Sequence, residues 1–119
     1  MFPDPVSLPL ALVAKRLKAL ADPGRLVVIQ SLCGGERCVT ELVEGTGIGQ
    51  ASVSKHLRIL RDEGFVLARR KGRNVFYRVS DRVPEEICTL ICRSMKKKAA
   101  GESRLLNRYL ERKRARKAG

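Results

Sequence analysis

The chain has 119 residues, 44% of them hydrophobic, enough for one folded domain with a modest core and too apolar for a disordered segment. Its 25 basic residues against 12 acidic ones give a formal charge of +13, which points to a polyanionic partner such as nucleic acid. No apolar run approaches the ~18 residues of a membrane helix, and the stretch PVSLPLALVA is short, interrupted by Pro9 and without a basic region ahead of it, so it reads as neither signal peptide nor anchor.

In chain order, Leu10, Val13, Leu17 and Leu20 step by three and four residues, so the spacing predicts an amphipathic helix over residues 8–20. Asp22-Pro23 is a cap followed by proline at the first helical position, which starts a second helix running to Leu32 before Gly34-Gly35 stops it. On that helix Leu26, Ile29 and Cys33 form the expected inward stripe, with Cys33 a small core residue.

Residues 38–64, CVTELVEGTGIGQASVSKHLRILRDEG, contain two more helical patterns joined by a glycine-rich turn. Glu41 completes half of a capping box begun at Cys38, and Gly45, Gly47 and Gly49 supply the chain reversal. In the second pattern Val53, Leu57 and Leu60 make a buried stripe. The opposite face carries Ala51, Ser54, Lys55 and Arg58, with Gln50, Ser52 and Arg61 near its edges. Short side chains allow close approach to base edges, Gln, Ser and Lys can bond to them, and Lys and Arg neutralise phosphates. The pair is therefore predicted to be a helix-turn-helix whose second helix enters a major groove, with the lone histidine, His56, on the DNA face.

The period then changes. Residues 65–70 and 74–80 are rich in aromatic and branched side chains and read as a β-hairpin around Lys71-Gly72-Arg73. Arg69, Arg70, Lys71 and Arg73 at its tip and flanks make it a basic wing suited to phosphate contacts. A helix opening near Pro84 follows, with Ile87, Leu90, Ile91 and Ser94 on one face. A last amphipathic stretch, Leu105, Leu106, Tyr109 and Leu110, precedes the basic end ERKRARKAG, read either as an arm or as a solubilising tail. The expected architecture is mainly α with a β-hairpin, a dimeric winged helix-turn-helix of order α-α-α-α-β-β-α. Residues 1–100 form the DNA-binding and dimerisation domain and 101–119 a basic extension.

Four cysteines without a secretory context read as thiols, ligands or redox switches. Cys38 occupies an N-cap normally held by Ser, Thr, Asp or Asn, where the helix terminus favours a thiolate. Cys88 and Cys92 lie one turn apart, on a face displaced about 100° from Ile87, with β-carbons ~5–6 Å apart. That is wide for a disulfide but suited to two sulfurs meeting one soft ion. No glycine motif with a lysine cradles phosphates and no carboxylate pair suggests acid-base chemistry, so no enzymatic activity is expected. The competing reading is a non-sensing architectural or RNA-directed nucleic-acid-binding protein, which the few aromatics make less suited to RNA stacking.

LKALADPGRLVVIQSL, GIGQASVSKHLRILRDEG and RRKGRNVFYRVSD together resemble the ArsR/SmtB family of winged-helix repressors over residues 10–95. The resemblance implies a cytoplasmic homodimer that needs no cofactor to bind a palindromic double-stranded operator and releases it when a metal, metalloid or oxidant is sensed. Its first and fifth helices would form the dimer interface, and Gln50, Ala51, Ser52, Ser54 and Lys55 would face DNA. Arsenic-type members carry CVCDLC at the start of the third helix where this chain has CVTELV, keeping Cys38 but placing Thr40 and Val43 at the other two sulfur positions. Zinc-type members use His and carboxylates on the fifth helix, where this chain has Cys88 and Cys92. The implied signal is thiophilic: arsenite, cadmium, lead, zinc or an oxidant.

Overall fold

Asp22 begins the second helix as its sequence requires. Its carboxylate accepts the backbone N–H of Arg25 at 3.1 Å, and Pro23 takes the first helical position. The same Arg25 reaches back to the helix before it, Nε donating to the Ala19 carbonyl at 2.6 Å and Nη2 to that of Lys18 at 3.3 Å, so two terminal carbonyls gain partners. These bonds belong to a computed structural model that describes residues 9–96 and 103–118. Its elements are α1 (Leu10–Leu20), α2 (Pro23–Cys33), β1 (Arg37–Cys38), α3 (Val39–Thr46), α4 (Gln50–Asp62), β2 (Val66–Lys71), β3 (Asn74–Val79), α5 (Val83–Lys96) and α6 (Ser103–Ala118). The predicted start of the first helix at residue 8 and the boundary at residue 100 lie outside the described residues.

The chain divides into two compact units, Met1–Asp81 and Arg82–Gly119. In the first, Leu20, Val28, Ile29, Leu32, Leu42, Val53, Leu57, Leu60, Phe65 and Val66 form the core. The inward face of α2 is thus Val28, Ile29 and Leu32, while Leu26 and Cys33 are half-buried. The observed stripe is rotated by part of a turn from the predicted one because α2 is apolar on several sides and its period alone does not select a face.

The turn between α3 and α4 uses Gly47, whose φ of +75° is left-handed and whose N–H returns to the Val43 carbonyl at 2.9 Å. Thr46 steadies it, donating through Oγ1 to the Leu42 carbonyl and accepting the Ile48 N–H at 3.1 Å. Gly49 caps α4, whereas Gly45, predicted to be in the turn, lies inside α3. Helix α4 closes in a Schellman motif: the N–H of Gly64 meets the Arg61 carbonyl, that of Phe65 meets Leu60, and buried Phe65 starts the hairpin.

Strands β2 and β3 are antiparallel with Lys71 opposite Asn74, leaving Gly72-Arg73 as the turn. Gly72, with φ +64°, occupies its first central position. The sheet has a third member that the sequence does not announce. Two-residue β1 pairs Arg37 with Tyr77 and Cys38 with Phe76, too short to carry a periodic signal. In the second unit α5 packs on α6, where Leu106 and Leu110 are buried, and the C-terminal stretch ERKRARKA is helical through Ala118. Among the described residues no helix is long and apolar enough to cross a membrane. The winged helix-turn-helix predicted from sequence is the fold observed.

Candidate nucleic-acid interface

Helix α4 separates its faces sharply: Val53 and Leu60 are 0% exposed and Leu57 1%. Gln50, Ala51, Ser52, Ser54, Lys55 and Arg58 are all exposed. A helix anchored by its apolar stripe presents these short polar side chains and cations on its outward face. The wing presents a second basic surface, with Arg70, Lys71 and Arg73 all exposed at its tip.

Arg69 is differently employed. Its guanidinium grips the Glu36 carboxylate with two bonds, Nε to Oε2 at 2.9 Å and Nη2 to Oε1 at 2.6 Å. That grip holds the Glu36 carboxyl below the ordinary carboxylate range. The pair ties β2 to the segment before β1 and so orients the hairpin.

His56 is displaced from its predicted place. Its side chain is only 14% exposed and turns from the outward face of α4 toward the start of α2, with Nε2 4.0 Å from Asp22 Oδ1. Its buried Nδ1 has no hydrogen-bond partner among the described residues. Residue 56 precedes Leu57 by about 100° of helix and so borders the buried stripe, a position from which an imidazole can turn inward. Gly24 makes the space: a β-carbon there would stand 2.5 Å from Nε2.

The thiols fall in both units. Cys38 is the N-cap of α3, as predicted, and its N–H donates to Glu41 Oε1 at 3.0 Å. That bond, with a lesser contribution from the Cys38 side chain, lowers the Glu41 pKa. Cys88 and Cys92 lie a turn apart on α5, both half-buried. Burial pushes both thiols up, and the neighbouring Cys92 adds to the rise at Cys88, so the protonated forms are favoured. Tyr109 of α6 shares a hydrogen bond with Thr89, and burial pushes its phenol up, with smaller contributions from Cys88 and Cys92. No three His, Cys, Asp or Glu side chains among the described residues gather to hold one ion, so the pair offers two sulfur donors. A close ion pair, Lys113 Nζ to Glu85 Oε1 at 2.6 Å, joins α5 to α6 nearby.

Sequence reasoning located the outward face of α4, the wing tip and the cysteine pair. It missed the tasks of Arg69, His56 and Tyr109. Each depends on a partner far away in sequence, and only the smallness of Gly24 beside a helix start hinted at one of them.

Known proteins agree with this arrangement. The profile described as "Bacterial regulatory protein, arsR family" matches residues 22–67. A probable mercury resistance operon repressor from Streptomyces lividans is 48% identical over 68 residues, covering 57% of this chain and 54% of the relative. The chain spans about half the length of the curated relatives it matches most strongly. Among solved structures, the homodimeric winged helix-turn-helix DNA-binding domain of a possible ArsR-family regulator from Mycobacterium bovis superposes with TM-score 0.69. It is 29% identical, over 81% of this chain and 93% of that one. The transcriptional repressor BigR from Xylella fastidiosa is 33% identical with TM-score 0.65, over 76% of this chain and 93% of its own. With the exposed polar face of α4, the basic wing and these matches in agreement, the chain belongs to the ArsR family of bacterial regulatory proteins.

Proposed function

We propose that this protein is a cytoplasmic transcriptional repressor that binds operator DNA as a homodimer, with α4 in the major groove and the wing against the adjacent minor groove or backbone. The observation that carries this reading is the outward face of α4, where six small, polar or cationic side chains stand exposed opposite a fully buried apolar stripe. Dimerisation is supported by uncovered apolar faces on α1, with Leu10, Val13 and Leu17, and on α5, with Leu90, Ile91 and Met95. The Mycobacterium bovis domain is itself described as homodimeric. Replacing Ser54 and Lys55 together by alanine tests the assignment. Operator preference should fall by ~1–3 kcal/mol for each base that is no longer bonded, while the helical circular dichroism spectrum persists. A folded double variant with undiminished preference removes α4 from the base-reading role.

Repression is relieved, in this reading, through the thiols. Support comes from the two sulfurs of Cys88 and Cys92 on one helical face and from the Streptomyces relative, whose name records mercury resistance. A soft ion such as mercury, cadmium, lead or arsenite displaces the thiol protons and draws both sulfurs to itself, altering the packing of α5 against α6. Cys38 contributes a separate reactive thiol. Single serine variants at Cys88 or Cys92 should keep operator affinity yet require at least about tenfold more inducer for release in electrophoretic titrations with thiols reduced. A Cys38, Cys88 and Cys92 triple serine variant that still releases DNA at the wild-type inducer concentration overturns the thiol switch and leaves the DNA-binding proposal intact.

A further inference from the structure

Helices α5 and α6 enclose a groove of about 740 Å³ that neither DNA binding nor the thiol pair uses. Its volume falls within the range of small-molecule clefts. Leu90 and Leu110 give it an apolar wall, and Leu90 is 63% exposed. Around that wall stand the cations Arg82, Arg93, Lys96 and Arg114, opposed by Glu86.

Lys113 distinguishes the groove from an ordinary surface cleft. It lines the groove at 5% exposure, with its ammonium against Glu85 and 5.5 Å from the centre of the Tyr109 ring. The ion pair with Glu85 offsets the cost of burying that ammonium and joins α5 to α6 beside the groove. Glu85 answers the Lys113 charge, which leaves Arg82, Arg93, Lys96 and Arg114 in excess over Glu86 beside an apolar wall, and that combination matches one ligand chemistry. The cations attract and orient an anionic head, and the leucines cover an apolar body. An inorganic anion leaves the wall exposed, and a neutral hydrocarbon leaves the cations unanswered.

We propose that the α5–α6 groove binds an organic anion with an apolar body, a carboxylate or sulfonate carried on an alkyl or aromatic skeleton. Such a ligand bridges the two helices that also hold Cys88, Cys92 and Tyr109. Its effect on repression rests on the function proposed above, whereas its binding does not, and DNA-free titration separates the two.

The test uses the full chain at physiological salt, with anilinonaphthalene sulfonate as fluorescent probe and decanoate or inorganic phosphate as competitor. One saturable site per chain is expected, displaced by decanoate and not by equimolar phosphate. Binding should weaken by about tenfold or more in Arg93→Glu/Arg114→Glu. Leu90→Gln should also weaken decanoate competition, read in a variant whose mass in sedimentation equilibrium is unchanged because Leu90 also lies on the α5 face proposed for dimerisation. Reversing two wing charges with Arg70→Glu/Lys71→Glu, and the Ser54→Ala/Lys55→Ala pair, should leave probe affinity within about twofold. The proposal is overturned by any of four results: no saturable site, equal displacement by phosphate, equal losses in the wing and groove variants, or probe binding that appears only when self-association is disrupted. The last result would mean that a second copy of the chain fills the groove.

Discussion

At the scale of single residues, Gly24 and His56 reverse a rule of thumb. Glycine inside a helix is less favourable than alanine by roughly 0.5–1 kcal/mol, so Gly24→Ala on propensity alone stabilises α2. Here the added methyl meets the imidazole at 2.5 Å, and that ring is held at 14% exposure between α2 and α4. Overpacking of this kind costs about 1–3 kcal/mol and outweighs the propensity gain. Gly24→Ala should therefore lower the chemical-denaturation midpoint, and the same substitution in a His56→Ala background should be neutral or stabilising. Equal effects in both backgrounds would show that the ring is not what Gly24 accommodates.

Among the elements, the wing divides its arginines between two tasks. Arg69 is engaged by Glu36, whereas Arg70, Lys71 and Arg73 present their charges to solvent from the hairpin end. Neutralising the three exposed residues should weaken binding to operator and random DNA by similar factors. It should also reduce the slope of log affinity against log salt by up to ~0.9 for each phosphate no longer neutralised. Arg69→Ala should leave that slope nearly unchanged and instead loosen the hairpin, visible as faster amide exchange along β2. An unaltered slope in the triple variant would place the wing away from DNA. Helix α6 is less legible from its residues. Its basic end suggests an arm or a tail, but Leu106, Leu110 and Lys113 are buried. The extension is thus a packed component of the second unit.

For the whole molecule, the decisive property is the apolar surface that a single chain leaves uncovered. Leu10, Val13 and Leu17 are 45–53% exposed along α1, and Leu90, Ile91 and Met95 are 40–63% exposed along α5. Apolar stripes of that regularity are costly in water and characteristic of helix–helix association. Placing arginine at both Leu17 and Ile91 should convert the proposed dimer to monomer in sedimentation equilibrium. It should also lower operator affinity by several orders of magnitude, because two half-sites are no longer bound together. A dimeric mass retained by that variant would assign self-association to other surfaces.

Much of this protein is determined by local rules and is legible from its sequence. Asp22-Pro23 starts α2, Gly47 turns α3 into α4, the stripe Val53, Leu57 and Leu60 selects the outward face of α4, and Gly72 closes the hairpin. Each depends on residues within a few positions of one another, where capping, helical period and backbone sterics act. Tertiary structure decided what long-range packing imposes: the short strand β1 recruited by β3, the inward turn of His56 over Gly24, and the bond from Arg69 to Glu36. It also decided the pairing of Lys113 with Glu85. Composition places such groups in the chain, but only packing brings together residues separated by tens of positions and so assigns each side chain its partner.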